Sequence, residues 1–252
     1  MAAQKPNLVI IFVDEQKANS LPMYGNPVVR TPNLAGLASG GVLFTHAFAT
    51  YPVCVPNRVA LMAGRYPHST RSSSNSFHLQ AGERHLLQVF NERGYRTGLC
   101  GKNHCFLPRD LDALDYLWEA DHLGPKDPRS AEATAARQWI IDSQVWAKAW
   151  GAEPSPYPAG ALGTALITDH AIEFVERYRH EPFFLWYSIA DPHTPLQTAS
   201  PYAEMYLPEE VDLPPLVEGE ILTKPPAQQL DYRAMACDKA TEEIIRRAIS
   251  VY

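Results

Sequence analysis

The chain has no apolar run of membrane-spanning length. Its opening stretch is apolar only from Leu8 to Val13 before Asp14 and Glu15 interrupt it. Six residues are too few for a span or for the core of a secretory leader, which sets the expectation of a cytoplasmic protein. Cysteine is scarce: Cys54, Cys100, Cys105 and Cys237 are too few and too irregular for a disulfide framework. Cys100 and Cys105 bracket Lys102 and His104, but no second ligand pair at zinc spacing follows them. Neither sign of charge dominates. The formal net charge is −6 with Lys and Arg scattered, so the basic patch a nucleic-acid partner requires is missing. Low-complexity disorder is absent too: prolines cluster at 52–67, 154–158 and 208–226, but aliphatic and aromatic residues interrupt them, as in ordered loops. What remains is a chain of 252 residues, 46% hydrophobic, long enough to bury the core of one large domain.

The pattern of apolar residues predicts an α/β fold, a mostly parallel sheet with helices on both faces. Leu8–Val13, LVIIFV, is a continuous β-branched and aromatic run, the mark of a strand covered on both faces. Residues 95–100 and 182–190 read as further strands. Amphipathic helices are predicted at 85–93, 131–150, 164–180 and 240–251. Thr31 and Pro32 open a short helix that Gly40-Gly41 closes, after which Val42 to Phe44 read as a strand start. Residues 59–63 read as one or two helical turns with Gly64 as the stop. Residues 68–77 form a polar rim loop. Residues 107–163 read as an insertion that shapes a pocket, and 204–226 as an extended proline-rich segment.

Ligands of such sheets gather outside the carboxyl ends of the strands. Three groups of residues leave the predicted strands there. Asp14 and Glu15 follow the first; paired acids suit a hard divalent cation, or simply begin a solvated loop. Lys102 and His104 follow the second; Lys can hold an oxyanion and His can move protons near neutral pH, though an exposed Lys and a satisfied His would look the same. His193 follows the third, in an Asp-Pro-His turn. Asp169-His170 is rejected as a metal pair, because neighbours on a helix diverge by about 100° and no strand end delivers them. The fourth group is Cys54-x-Pro56-x-Arg58. A thiol just before a helix start favours negative charge, and Arg58 is a fork for an oxyanion. A Cys among prolines also reads as a small buried hydrophobe. Arg58 comes too early for the Cys-x5-Arg loop of a cysteine phosphatase.

The pattern Cys54-x-Pro56-x-Arg58, followed by Gly64-Arg65-Tyr66-Pro67, resembles the signature of the sulfatase family, which also holds the phosphonate monoester hydrolases. Asp14-Glu15, Gly101-Lys102-Asn103-His104 and Pro192-His193 resemble further blocks of that family. The resemblance implies an alkaline-phosphatase-like fold and hydrolysis of sulfate monoesters, with phosphonate or phosphate esters as alternatives. It implies that Cys54 becomes formylglycine through a formylglycine-generating enzyme. It also implies a divalent metal, Ca2+ before Mn2+ or Mg2+, held by Asp14, Glu15 and residue 54. Cys54, Arg58, Lys102, His104 and His193 are the implied catalytic residues. Three positions depart from the pattern: Glu15 stands where Asp or Gln is usual, Asn57 where Ser is usual and Asn103 where Trp is usual. The family's later Asp-His or Asp-Asn block, which completes the metal site, and the Lys beyond it have no counterpart here. The resemblance therefore covers the family's N-terminal part, as expected of a fragment or of a truncated, non-catalytic relative that binds an anion or a partner. A hydrolase using the unmodified Cys54 thiol with His104 is a further alternative.

Overall fold

The computed structural model describes residues 5–142, 152–215 and 217–252. Their strands are β1 (Leu8–Val13), β2 (Arg96–Gly101), β3 (Tyr116–Asp121), β4 (Gly124–Pro125) and β5 (Phe183–Ile189), in the sheet order β1-β5-β2-β3-β4. The first four strands in that order run parallel, and the two-residue β4 is antiparallel to β3. The helices are α1 (Pro32–Ser39), α2 (Cys54–Ala63), α3 (Pro67–Thr70), α4 (Leu86–Glu92), α5 (Pro108–Leu111), α6 (Ala131–Asp142), α7 (Gly163–Tyr178), α8 (Pro226–Ala234) and α9 (Glu242–Val251).

Both faces of the inner strands β5 and β2 are covered, whereas β1, expected to be covered on both faces, packs only Leu8, Ile10 and Phe12 into the core. On one face Val55, Val59 and Met62 of α2 and Leu87 of α4 meet Leu99, Phe184 and Trp186. On the other, Ile167, Ala171 and Phe174 of α7 meet Cys100, Trp118, Phe183 and Leu185. Neighbouring residues of β5 thus serve opposite cores, the period-two rule of a strand. Each such buried aliphatic or aromatic side chain contributes roughly 1.5–3 kcal/mol relative to exposure. β1 is the sheet's edge, and its Val9 and Ile11 are about half exposed.

Several sequence-based expectations shift. Helix α2 begins at Cys54 rather than after Arg58. Pro56 is its third residue, where the missing N–H would have had no intrahelical partner, so the ring is tolerated. Gly64 ends the helix at φ +64, as expected. Val42 to Phe44 is not a strand: the residues have no ladder partner and are largely exposed. Thr31 stands at the N-cap of α1, but its side chain makes no capping bond. Residues 68–70 fall in α3, and the rest of the expected rim loop is irregular. The stretch 107–163, expected as an insertion, supplies β3, β4, α5 and α6. Helix α6 accounts for the start of the expected 131–150 helix, whose residues 143–150 lie outside the described residues. The 204–226 segment coils into short 3-10 turns at Pro208–Glu210 and Glu220–Thr223 rather than staying extended. Among the described residues, no helix is long and apolar enough to cross a membrane.

Candidate active site at the carboxyl edge of the sheet

Asp14 is the first residue past β1, and its N–H donates to Ile189 O of β5 at 3.2 Å. That bond extends the parallel ladder by one step and fixes the acid at the mouth of the sheet. Asp14 is buried, and it meets two cations. Arg58 Nη2 lies 3.4 Å from Asp14 Oδ2, and Lys102 Nζ is hydrogen-bonded to the same oxygen. Burial raises the Asp14 pKa, but Arg58 and Lys102 outweigh it and hold the carboxyl below its ordinary value.

Arg58 has no freedom to swing. It is fully buried, its Nη1 donates to Lys102 O and Ser188 Oγ at 2.7 Å each, and its guanidinium lies 5.0 Å from the Phe12 ring and 5.6 Å from Trp186. Lys102 is delivered by a backbone break at the end of β2. Gly101 has φ +104, and a Cβ there would lie 1.9 Å from Ser188 O, so only glycine fits. The next N–H, of Lys102, donates to that same Ser188 O at 2.8 Å.

Cys54 occupies the first position of α2, half-buried, with Sγ 4.0 Å from both Asp14 oxygens and 3.7 Å from Lys102 Nζ. Hydrogen bonds from His104 and His193 pull the thiol down to about 6, with Lys102 adding to the effect and burial and Asp14 opposing it. A thiol so placed is reactive well below its ordinary value near 9. Iodoacetamide is therefore expected to alkylate unoxidised Cys54 along a pH curve with its midpoint near 6, the reaction fading as pH falls through that value. A midpoint near 9 would contradict this electrostatic picture.

His104 is exposed and adopts φ +61. The turn carrying it is braced by Asn103, whose Oδ1 accepts from Phe106 N at 2.9 Å and whose Nδ2 donates to Phe106 O at 3.0 Å. His193 holds Thr194 O through Nδ1 at 2.6 Å and faces Glu15 Oε1 through Nε2 at 3.3 Å. Burial lowers its pKa, but Cys54, the Thr194 carbonyl and Glu15 together hold the imidazole above its ordinary value. Cys54, Arg58, Lys102, His104 and His193 thus converge, with Asp14 at their centre. Glu15, at φ +59, turns its carboxylate to His193 instead of joining that centre.

Sequence reasoning missed His122. It follows β3 directly, its Nε2 lies 2.7 Å from Lys102 Nζ, and its ring stacks on His193 at 3.7 Å. No motif marks it; only the pairing of β3 beside β2 brings it to the site. The weaker candidates stay apart from the cluster. His170 stacks on Trp118 at 4.1 Å and bonds the Tyr116 hydroxyl at 2.6 Å. Cys100 and Cys105 are buried in the core, and burial pushes each thiol up to about 12.

Comparison with known proteins meets this geometry. The Sulfatase family model matches residues 6–214. The chain belongs to the sulfatase family. It is 31% identical over 255 residues to an ulvan-active sulfatase of Formosa agariphila, covering 96% of this chain and 46% of that protein. It is 31% identical over 219 residues to human iduronate 2-sulfatase, covering 83% and 39%. A phosphonate monoester hydrolase from Silicibacter pomeroyi shares the fold, with a TM-score of 0.78 at 20% identity over 99% of this chain and 56% of that one. The fold is thus of the alkaline-phosphatase-like type that the sequence pattern implies. The chain spans about half the length, or less, of these curated relatives.

Proposed function

We propose that this chain carries the nucleophile end of an enzyme that hydrolyses sulfate monoesters, with phosphonate or phosphate monoesters as the near alternatives. One observation carries the reading: the family's Cys, Arg and Lys converge on a buried carboxylate at the sheet edge where this fold class places ligands. The nucleophile position is residue 54. Oxidised to formylglycine by a formylglycine-generating enzyme, Cys54 would supply a hydrated aldehyde whose hydroxyl attacks sulfur or phosphorus.

The chain's own residues do the rest. Lys102 directs an ammonium hydrogen at position 54, where charge grows as the ester oxygens become more anionic. Arg58, packed against the Phe12 and Trp186 rings, keeps Asp14 ionised and presents a fixed positive charge beside it. His104, exposed next to residue 54, takes and returns the proton of the nucleophile. His193, oriented by the Thr194 carbonyl and faced by Glu15, gives a proton to the leaving alcohol. On the far side of His193 lies a cavity of about 670 Å³ lined by Val13, Leu34, Ala165 and Tyr202 among others. It offers room for the alcohol portion of the ester, and Ala159 and Leu162 of the 107–163 stretch help to shape it.

A divalent cation is a different matter. Asp14, Cys54 and His193 present donor atoms within 4.8 Å of one another. Ca2+ takes six to eight oxygen ligands and Mg2+ a near-ideal octahedron. One carboxylate, one imidazole and residue 54 do not make such a shell, and Glu15 pairs with that imidazole, His193, at 3.3 Å. Among the described residues the implied metal site is incomplete, so no step above passes through a metal. A second reading, a non-catalytic relative that binds an anion, rests on the two buried cations Arg58 and Lys102 at the same edge.

Turnover of 4-nitrophenyl sulfate by the purified protein, with Ca2+, Mg2+ or Mn2+ supplied, separates the two. Turnover above that of the Lys102→Ala protein supports the hydrolase. Calorimetric binding of inorganic sulfate without turnover supports the second reading. Faster turnover of a phenylphosphonate ester than of the sulfate would move the assignment to the phosphonate alternative.

A further inference from the structure

Lys102 carries three ammonium hydrogens and no acceptor. Three partners surround its Nζ: Asp14 Oδ2, His122 Nε2 at 2.7 Å and Cys54 Sγ at 3.7 Å. Asp14 alone would leave the ammonium free to rotate about the Cε–Nζ bond. A second acceptor removes that freedom and leaves the third hydrogen facing residue 54. We propose that His122 is a positioning residue for Lys102, accepting one ammonium hydrogen so that another is held toward the nucleophile.

The surroundings of His122 support this role. Its ring is clamped by stacking on His193, with the planes 23° apart. The turn that carries it is pinned by Asp121, whose Oδ1 accepts from Leu123 N at 2.9 Å and from Arg137 Nη1 at 3.3 Å. To accept from an ammonium, Nε2 must carry a lone pair, which puts the ring hydrogen on Nδ1. Nδ1 is buried and makes no hydrogen bond to the described residues. The ring nitrogen that finds a partner is the one that meets Lys102.

The catalytic consequence rests on the hydrolase reading, so the test has two readouts. His122→Phe and His122→Leu remove the acceptor, the former keeping an aromatic ring against His193. His122→Gln keeps an acceptor near the Nε2 position. With 4-nitrophenyl sulfate, the Phe and Leu proteins are expected to lose about tenfold or more in kcat/KM, and Gln to restore most of it. Calorimetry with inorganic sulfate is expected to show the same ranking, Phe and Leu weakened about tenfold and Gln within about threefold. Melting curves identify any variant that fails to fold, and the remaining non-accepting variant then decides. A folded Phe or Leu protein matching wild type, or a Gln protein no better than Phe, overturns the inference while wild-type turnover leaves the hydrolase reading standing. Wild-type protein that binds sulfate without turnover, with the ranking intact, supports the inference and overturns the hydrolase reading instead.

Discussion

Replacing Cys54 by alanine is expected to lower hydrolysis of an aryl sulfate at least about a thousandfold while shifting the melting temperature by only a few degrees. The two effects separate because of where Cys54 sits. Its Sγ touches polar groups, Asp14 and Lys102, at 3.7 to 4.0 Å, and it is not part of the core that Val55, Val59 and Met62 build from the same helix. Alanine is the best helix former, so the first turn of α2 keeps its geometry. The Asp14–Lys102 pair survives, since neither partner depends on sulfur. What is lost is the nucleophile, for no aldehyde can be made from alanine. Steady-state kinetics and a melting curve on the same preparation check both halves. Residual activity above a few per cent would remove residue 54 from the chemistry.

Arg58→Met is expected to damage both fold and function, and it is the substitution with the largest predicted stability cost. The guanidinium is fully buried, and its removal strips a donor from Lys102 O and Ser188 Oγ and one of two cations from Asp14. Breaking a buried ion pair from one side costs about 3–5 kcal/mol, because the remaining charge is left uncompensated. For a domain of this size that corresponds to a fall in melting temperature of roughly 6–20 °C. Methionine preserves much of the volume beside Phe12 and Trp186, so the loss reports on charge rather than on a cavity. Arg58→Lys would not rescue it, since an ammonium cannot serve Lys102 O, Ser188 Oγ and Asp14 from one fork. Differential scanning calorimetry decides. A variant as stable as wild type would mean that Asp14 is not held by Arg58.

The parts of this architecture visible in the sequence share a physical cause. β5 is buried on both faces, so FFLWYSI stands out as an unbroken apolar run; LVIIFV reads the same way, although at the edge only its Leu8, Ile10 and Phe12 pack into the core. Helix α7 shows its stripe because one side faces the sheet and the other faces water. Once the strands are placed, the carboxyl-edge rule puts Asp14, Lys102, His104 and His193 on one rim, and the Cys54 pattern points to the same place. β3 was hidden because YLWEAD alternates buried and more open positions near the far edge of the sheet, a weaker signal than a doubly buried run. His122 had no local signal at all: its role comes from β3 lying beside β2, a pairing that links residues 20 apart in sequence. The turn of Glu15 toward His193 depends on a left-handed backbone conformation that a glutamate does not advertise. Val42 to Phe44 misled in the opposite direction, since β-branched and aromatic residues make a strand only where a neighbouring strand is free to pair.

The central claim is that residue 54 acts as an oxidised cysteine rather than as a thiol. Mass spectrometry of the peptide containing Cys54, from protein made in a cell that has a formylglycine-generating enzyme, tests it most directly, with an aldehyde-reactive probe as the label. The account predicts a formyl side chain at residue 54, labelled by the probe, in proportion to the specific activity of the preparation. Active protein carrying only an unmodified, alkylatable thiol at that position would contradict it and point to Cys54 with His104 as a thiol nucleophile.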